Sequence, residues 1–132
     1  MFDINPAAAA PIWRQIEEGM RRMIVLGTLS PGAPAPSVRD LARELRVNPN
    51  TVARAYQRLI DAGVLVTKRG DGTYVADVPS QPKKSERTEV LRAAAAHYAG
   101  TAVAAGASVD EAMREVEAAY HRVIKEHRRA SS

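Results

Sequence analysis

The chain has 132 residues, 45% of them hydrophobic and 26% charged, with no cysteine and a formal net charge of +4. That length holds one small domain plus an appendage, and the absence of cysteine excludes disulfide, thiolate–metal and cysteine-nucleophile chemistry. No apolar run approaches the roughly 20 residues of a membrane span, and the N-terminus lacks the basic region and long apolar core of a secretory signal, so a cytoplasmic location without membrane contact is expected.

Residues 1–10 read as an arm in which Phe2 and Ile4 are available for packing. Residues 11–26 form a helix with Ile12, Trp13, Ile16, Met20, Met23 and Ile24 on one face, and Gly27 ends it. Trp13, the only tryptophan, is assigned to core packing. Residues 29–36 are a proline-rich connector. A second helix starts at Ser37, which with Asp40 makes a capping box whose carboxylate is one carbon shorter than usual. Val38, Leu41, Ala42 and Leu45 are its apolar stripe.

Arg46-Val47 then makes a tight connection into a third helix. Asn48 caps it, and Pro49 fits the first helical position, where its missing N–H costs nothing. Val52, Ala55, Tyr56 and Leu59 fall on one apolar face. Asn50, Arg54, Gln57 and Asp61 line the opposite face, with Thr51 and Arg58 beside them. Amide and guanidinium groups pair bidentately with adenine and guanine edges in a major groove. Taken alone, the segment is equally a solvated amphipathic helix; the flanks favour a recognition helix. Two short helices joined by a tight turn form a helix-turn-helix. After Gly63, residues 64–69 and 73–75 flank Gly70-Asp71-Gly72, a hairpin with Lys68 and Arg69 at its tip. Helix, turn, helix and hairpin in this order make a winged helix. Residues 37–75 carry seven Lys and Arg against four acids, so most of the basic excess lies where a phosphate-binding surface needs it.

Residues 77–84 change composition and read as a linker, separating a domain at 1–76 from a segment at 85–132. That segment is two helices. The first, to about residue 105, has Val90, Leu91, Ala94, Ala95, Tyr98 and Ala102 on a stripe. Gly106 stops it, and Ser108 to Glu111 make a capping box. The second carries Val109, Ala112, Met113, Val116, Tyr120, Val123 and Ile124, then a charged end, Lys125 to Arg129, which suits the negative helix terminus. Two isolated helices cannot bury both stripes. The economical partner is the same pair from a second chain, with Leu91, Tyr98, Met113, Val116, Tyr120 and Val123 at the interface.

Pro36-Ser37-Val38-Arg39-Asp40-Leu41-Ala42, Val47-Asn48-Pro49-Asn50-Thr51-Val52, Ala55-Tyr56, Gly63 and Arg69-Gly70-Asp71-Gly72-Thr73-Tyr74-Val75 resemble the DNA-binding domain of GntR-type bacterial transcription regulators. The Asn-Pro-Asn-Thr-Val run and the short remainder resemble the YtrA subfamily. The likeness covers roughly residues 11–76 and rests on several spaced motifs. It implies that the first helix packs beneath the helix-turn-helix, that the two-helix tail dimerises, and that the protein is a repressor. It also implies phosphate contacts from Ser37 and Arg39, and DNA contacts from the front of the third helix by Asn50, Thr51 and Arg54, with Asn48 beside them. Gln57 and Arg58 would touch the backbone, and Lys68, Arg69, Gly70 and Thr73 belong to the wing. Relatives often carry arginine where this chain has Pro49 and Ala53, so base reading is assigned to Asn50 and Arg54 instead. Ala35 stands where the family pattern has a leucine, reducing an apolar contact to a methyl group.

No catalytic constellation is present, and neither a cofactor nor a metal is expected. His97 and His121 lie on different helices, and His121 and His127, six apart, do not share a face. Gly70-Asp71-Gly72 is not followed by the Gly-Lys-Ser/Thr of a phosphate loop. The reading is a sequence-specific DNA-binding regulator that meets a palindromic double-stranded operator as a homodimer. An unknown small-molecule effector is left open. The competing reading is a winged-helix protein-interaction module without sequence-specific DNA binding, since a fold does not settle function; outward Asn50, Arg54, Arg58 and Arg69 favour DNA.

Overall fold

The computed structural model describes residues 1–131. The element order is α1 (Ile12–Val25), α2 (Val38–Leu45), α3 (Pro49–Asp61), β1 (Leu65–Lys68), β2 (Gly72–Val75), α4 (Lys84–Ala104) and α5 (Val109–Ser131). The fold is mainly α with one small antiparallel hairpin, and the chain divides into two units, Met1–Gln81 and Pro82–Ser132.

In the first unit, the apolar faces converge on one core. Ile16, Met20 and Met23 of α1 meet Leu41 and Ala42 of α2, Val52, Ala55, Tyr56 and Leu59 of α3, and Leu65 and Val75 of the hairpin. Sealing a side chain of this size from water stabilises by about 1.5–3 kcal/mol. The arm belongs to the same unit. Phe2 and Ile4 pack against the core, and the Phe2 ring lies on Gly19, where an added Cβ would come within 2.5 Å of the ring. Gln15 fastens the arm from both sides. Its Oε1 accepts the Asn5 N–H at 2.8 Å, and its amide donates to the Asn5 and Ala10 carbonyls at 2.9 and 3.0 Å.

The turn between α2 and α3 is set by local chemistry. The Ser37 hydroxyl accepts the Asp40 N–H at 3.0 Å. Arg46 closes α2 in the left-handed region at φ 58°, while the Val47 N–H reaches back to the Ala42 carbonyl at 3.0 Å, the pattern of a Schellman stop made without glycine. Asn48 accepts the Asn50 N–H at 2.8 Å, with Pro49 at the first helical position. From inside, the Tyr56 hydroxyl donates to the Pro36 carbonyl at 2.7 Å and ties α3 to the entry of α2. Burial pushes the phenol pKa up, so the O–H stays a donor.

Strands β1 and β2 pair in the register Leu65↔Val75 to Lys68↔Gly72. The connector that precedes α2 is more than a link. The Ala35 N–H donates to the Thr73 carbonyl at 2.9 Å, the Val75 N–H to the Ala33 carbonyl at 2.9 Å and the Gly32 N–H to the Val75 carbonyl at 3.0 Å, and Pro34 is bridged to Tyr74. It lies as a third, irregular edge on β2. Proline is tolerated at such an edge because its position need not donate. Ala35 reaches the core with its methyl group, partly buried.

Beyond β2 the chain stays attached to the first unit as far as Ser80. The Ser80 N–H meets the Gly63 carbonyl at 3.4 Å, and Arg21 donates to the Ser80 carbonyl at 2.9 Å.

The second unit is a helical hairpin. Gly106, at φ 81°, reverses the chain, and the Ser108 hydroxyl accepts the Glu111 N–H at 3.2 Å at the start of α5. The Tyr98 hydroxyl donates to the Ala112 carbonyl at 2.8 Å and holds α4 to α5. No residue of α4 is buried. Leu91, Met113 and Tyr120 are 63%, 65% and 65% exposed, and Val103, Val109, Val116 and Val123 are exposed as well.

Candidate nucleic-acid interface

Helix α3 carries the centre of the site. With its back sealed by Val52, Ala55, Tyr56 and Leu59, its front shows Asn50, Ala53, Arg54, Gln57, Arg58 and Asp61 to solvent and half-buries Thr51. This polar row divides into two halves. Toward the C-terminus, groups satisfy one another: the Gln57 amide donates to Asp61 Oδ1 at 2.9 Å, and Arg58 pairs through Nε with Glu17 of α1. Toward the N-terminus, the chain supplies no acid. The Asn50 side-chain amide has no hydrogen-bond partner among the described residues, and Arg54 has no carboxylate partner there. The half that a groove would meet first is the half left open.

Trp13 stands where α1 passes α3; it packs against the core as the sequence assigns, and its ring has a second set of neighbours. The indole is partly buried, and the guanidinium carbons of Arg58, Arg54 and Arg14 lie 4.4, 4.8 and 5.5 Å from its ring centroid. These are cation–π distances. Local periodicity hides this role, because two of the three arginines on the ring, Arg54 and Arg58, come from a helix far along the chain. The only trace in the sequence is the i, i+4 spacing of Trp13 and Glu17, which puts an aromatic face and a carboxylate on one side of α1.

Around this centre lie the other predicted contacts. At the start of α2, Ser37 uses an oxygen lone pair for its cap and keeps its own proton to donate, while Arg39 is exposed beside it. The free N–H groups of a helix start favour an anion. Asn48 is engaged in the α3 cap through its side-chain oxygen. On the wing, Lys68 Nζ lies 4.5 Å over the Tyr74 ring, and Arg69 is exposed at the tip. Gly70 adopts φ 83°, and no atom lies within 4 Å of where its Cβ would be. Its glycine meets the demand of the turn, in which the Asp71 N–H closes on the Lys68 carbonyl at 2.9 Å. Thr73 is half-buried, and its carbonyl holds the connector. No three histidine, aspartate or glutamate side chains converge on one point among the described residues.

In the second unit, Tyr98, Val109, Met113, Val116 and Tyr120 line an apolar groove of about 640 Å³ along α4 and α5. Tyr98 is half-buried, its hydroxyl occupied within the chain. Leu91, Met113, Val116, Tyr120 and Val123 remain open to solvent.

A capped helix pair, a polar helix front and a basic hairpin tip on one compact core define a winged helix-turn-helix domain. The family described as bacterial regulatory proteins, gntR family, matches residues 13–75. The HTH-type transcriptional repressor YtrA of Bacillus subtilis is 42% identical over 58% of this chain and 59% of its own length; the chain thus spans less than two thirds of that relative. The HTH-type transcriptional regulator Rv1152 of Mycobacterium tuberculosis is 36% identical over 84% of this chain and 87% of its own. Among solved structures, YtrA from Sulfolobus acidocaldarius, a GntR-family transcription factor, superposes with a TM-score of 0.53 at 32% identity, covering 92% of this chain and 98% of that one. The chain belongs to the GntR family, and its likeness is to the YtrA-type regulators.

Proposed function

We propose that the protein is a cytoplasmic repressor that binds a palindromic operator as a homodimer and catalyses no reaction. The carrying observation is the open N-terminal half of the α3 front, where Asn50 and Arg54 face outward beside the half-buried Thr51 with no acid to neutralise the guanidinium. In this reading, α3 enters the major groove and Asn50 and Arg54 read base edges, since amide and guanidinium forks match adenine and guanine. Ser37 and Arg39 hold a phosphate at the start of α2, with Asn48 and Thr51 close to the backbone. Gln57 and Arg58 lie further along the helix, where Arg58 contributes less because Glu17 offsets its charge. Lys68, Arg69, Gly70 and Thr73 belong to a wing that follows the neighbouring groove or its phosphates.

The tail supplies the two-fold axis. Leu91, Met113, Val116, Tyr120 and Val123 expose more apolar surface than a lone helical hairpin keeps in water, and Tyr98 braces the pair. A second copy of the same hairpin offers a matching surface. Paired readers then meet half-sites about 34 Å apart. Repression itself is supported by the likeness to the Bacillus subtilis repressor YtrA.

The test is a salt and sequence series on the full chain, with an operator recovered by selection from random duplex DNA. Affinity should fall steeply with salt through counterion release. Arg54→Ala should keep the fold and the oligomeric state and lose most of the preference for operator over random duplex. Unchanged preference would remove Arg54 from base reading; salt-insensitive binding would favour a protein partner instead.

A further inference from the structure

We infer that Trp13 is a positioning residue for DNA reading: its indole is a shelf that fixes the direction of the Arg54 guanidinium before DNA arrives. The inference rests on the reading of Arg54 as a base contact and goes beyond it by adding a residue outside the recognition helix.

Three observations carry it. The Arg54 and Arg58 guanidinium carbons lie 4.8 and 4.4 Å from the same ring centroid. With Arg14 as a third guanidinium at 5.5 Å, the cations over this indole repel one another, and of the two from α3 only Arg58 has a carboxylate partner, Glu17. Glu17 is four residues after Trp13, so one face of α1 presents both the ring and the acid. Arg58 is braced on both sides, by a carboxylate and by an aromatic face. Arg54 is directed by the ring alone and keeps its charge for a phosphate or a guanine edge. The arrangement separates orientation from neutralisation.

The benefit is conformational. A free arginine carries large rotamer freedom that a bidentate contact must remove. A side chain already stacked has less to lose on docking, and preorganisation of this kind raises affinity without a new contact. It acts most on the bond that needs geometry, the base contact, and least on diffuse phosphate attraction. Trp13 therefore influences discrimination more than non-specific affinity.

The test uses the full chain and the selected operator, with the operator-to-random affinity ratio as readout. Trp13→Leu removes the π face and keeps an apolar side chain. The expected result is a ratio lowered about threefold to tenfold, the effect of freeing one long side chain, with little change on random duplex. Trp13→Phe restores a ring and should recover most of the loss. In the Trp13→Leu/Arg54→Ala double variant, the ratio should equal that of Arg54→Ala alone, because the shelf has nothing left to hold. A wild-type ratio in Trp13→Leu, or effects that multiply in the double variant, would overturn the inference while leaving Arg54 as a reader. A wild-type ratio in Arg54→Ala would overturn the base-contact reading and the shelf with it. Should Trp13→Leu fail to fold, the emission of Trp13 in DNA-free protein decides. A shift on Arg54→Ala supports the stack, and an unaltered spectrum rejects it.

Discussion

The two units bury their apolar residues by opposite routes. In Met1–Gln81, every apolar face finds another within the same chain, and Ile16, Met20, Leu41, Val52, Leu59 and Leu65 are at most 1% exposed. In Pro82–Ser132, long stretches of comparable hydrophobicity remain wet: no residue of α4 is buried, and Met113 and Tyr120 keep about two thirds of their surface. Helical hairpins of this kind gain most of their stability from tertiary packing. The first unit closes on itself, whereas the apolar stripes of the second stay open, as the proposed dimer requires.

That contrast is broken most severely at the core. Leu59→Ala empties a sealed site where α3 meets the rest of the first unit, and the expected loss is about 2–5 kcal/mol. Chemical denaturation measures it, and the midpoint of this first transition should not depend on protein concentration. On the tail, Val116→Asp places a charge on a half-exposed apolar stripe and should leave the winged helix folded. The expected consequence is a monomer by sedimentation and an operator affinity weaker by about 100-fold or more, the advantage that linked sites lose when separated. A dimer that survives this substitution would remove the tail from the interface.

A smaller effect tests how the reading unit is tied to its own connector. Tyr56→Phe leaves the Pro36 carbonyl without its 2.7 Å donor. Losing such a bond at a part-buried site costs about 1–2 kcal/mol. Since the lost tie lies just before Ser37, hydrogen exchange should rise at the start of α2 ahead of the hairpin, where the backbone pairs are intact.

The parts that were legible in the sequence are those fixed by neighbours. Ser37, Asn48, Pro49 and Gly106 mark helix ends because caps act within three residues, and the burial of Val52, Ala55, Tyr56 and Leu59 follows from period 3.6. What stayed hidden is what tertiary approach creates. The connector at Ala33 to Ala35 pairs with β2 although its prolines argue against a strand, because the pairing is an edge that asks for donors only at alternate places. Trp13 has the spacing of a core residue and a partly exposed ring under arginines, which only the crossing of α1 and α3 brings together. Likewise, a helical wheel does not reveal that Gln57 and Arg58 each have a partner within the chain.

The smallest expected effect concerns Glu18, where the first unit's closed packing has an exception. One of its carboxylate oxygens is buried with no hydrogen-bond partner. Burial pushes its pKa above the usual carboxylate value, Arg14 and Arg22 pull it back down, and Glu17 adds to the rise. The folded protein therefore holds this proton to higher pH than the unfolded chain does. The stabilisation from this group is complete below the unfolded carboxylate pKa and is lost as pH rises through the folded one. Glu18→Gln removes the ionisation and with it that loss. The difference in unfolding free energy between variant and wild type should move in favour of the variant as pH climbs from 4 toward neutrality, while the other carboxylates cancel in the comparison. A difference that stays flat, or moves the opposite way, would mean that the two arginines outweigh burial and that Glu18 is held as a paired ion.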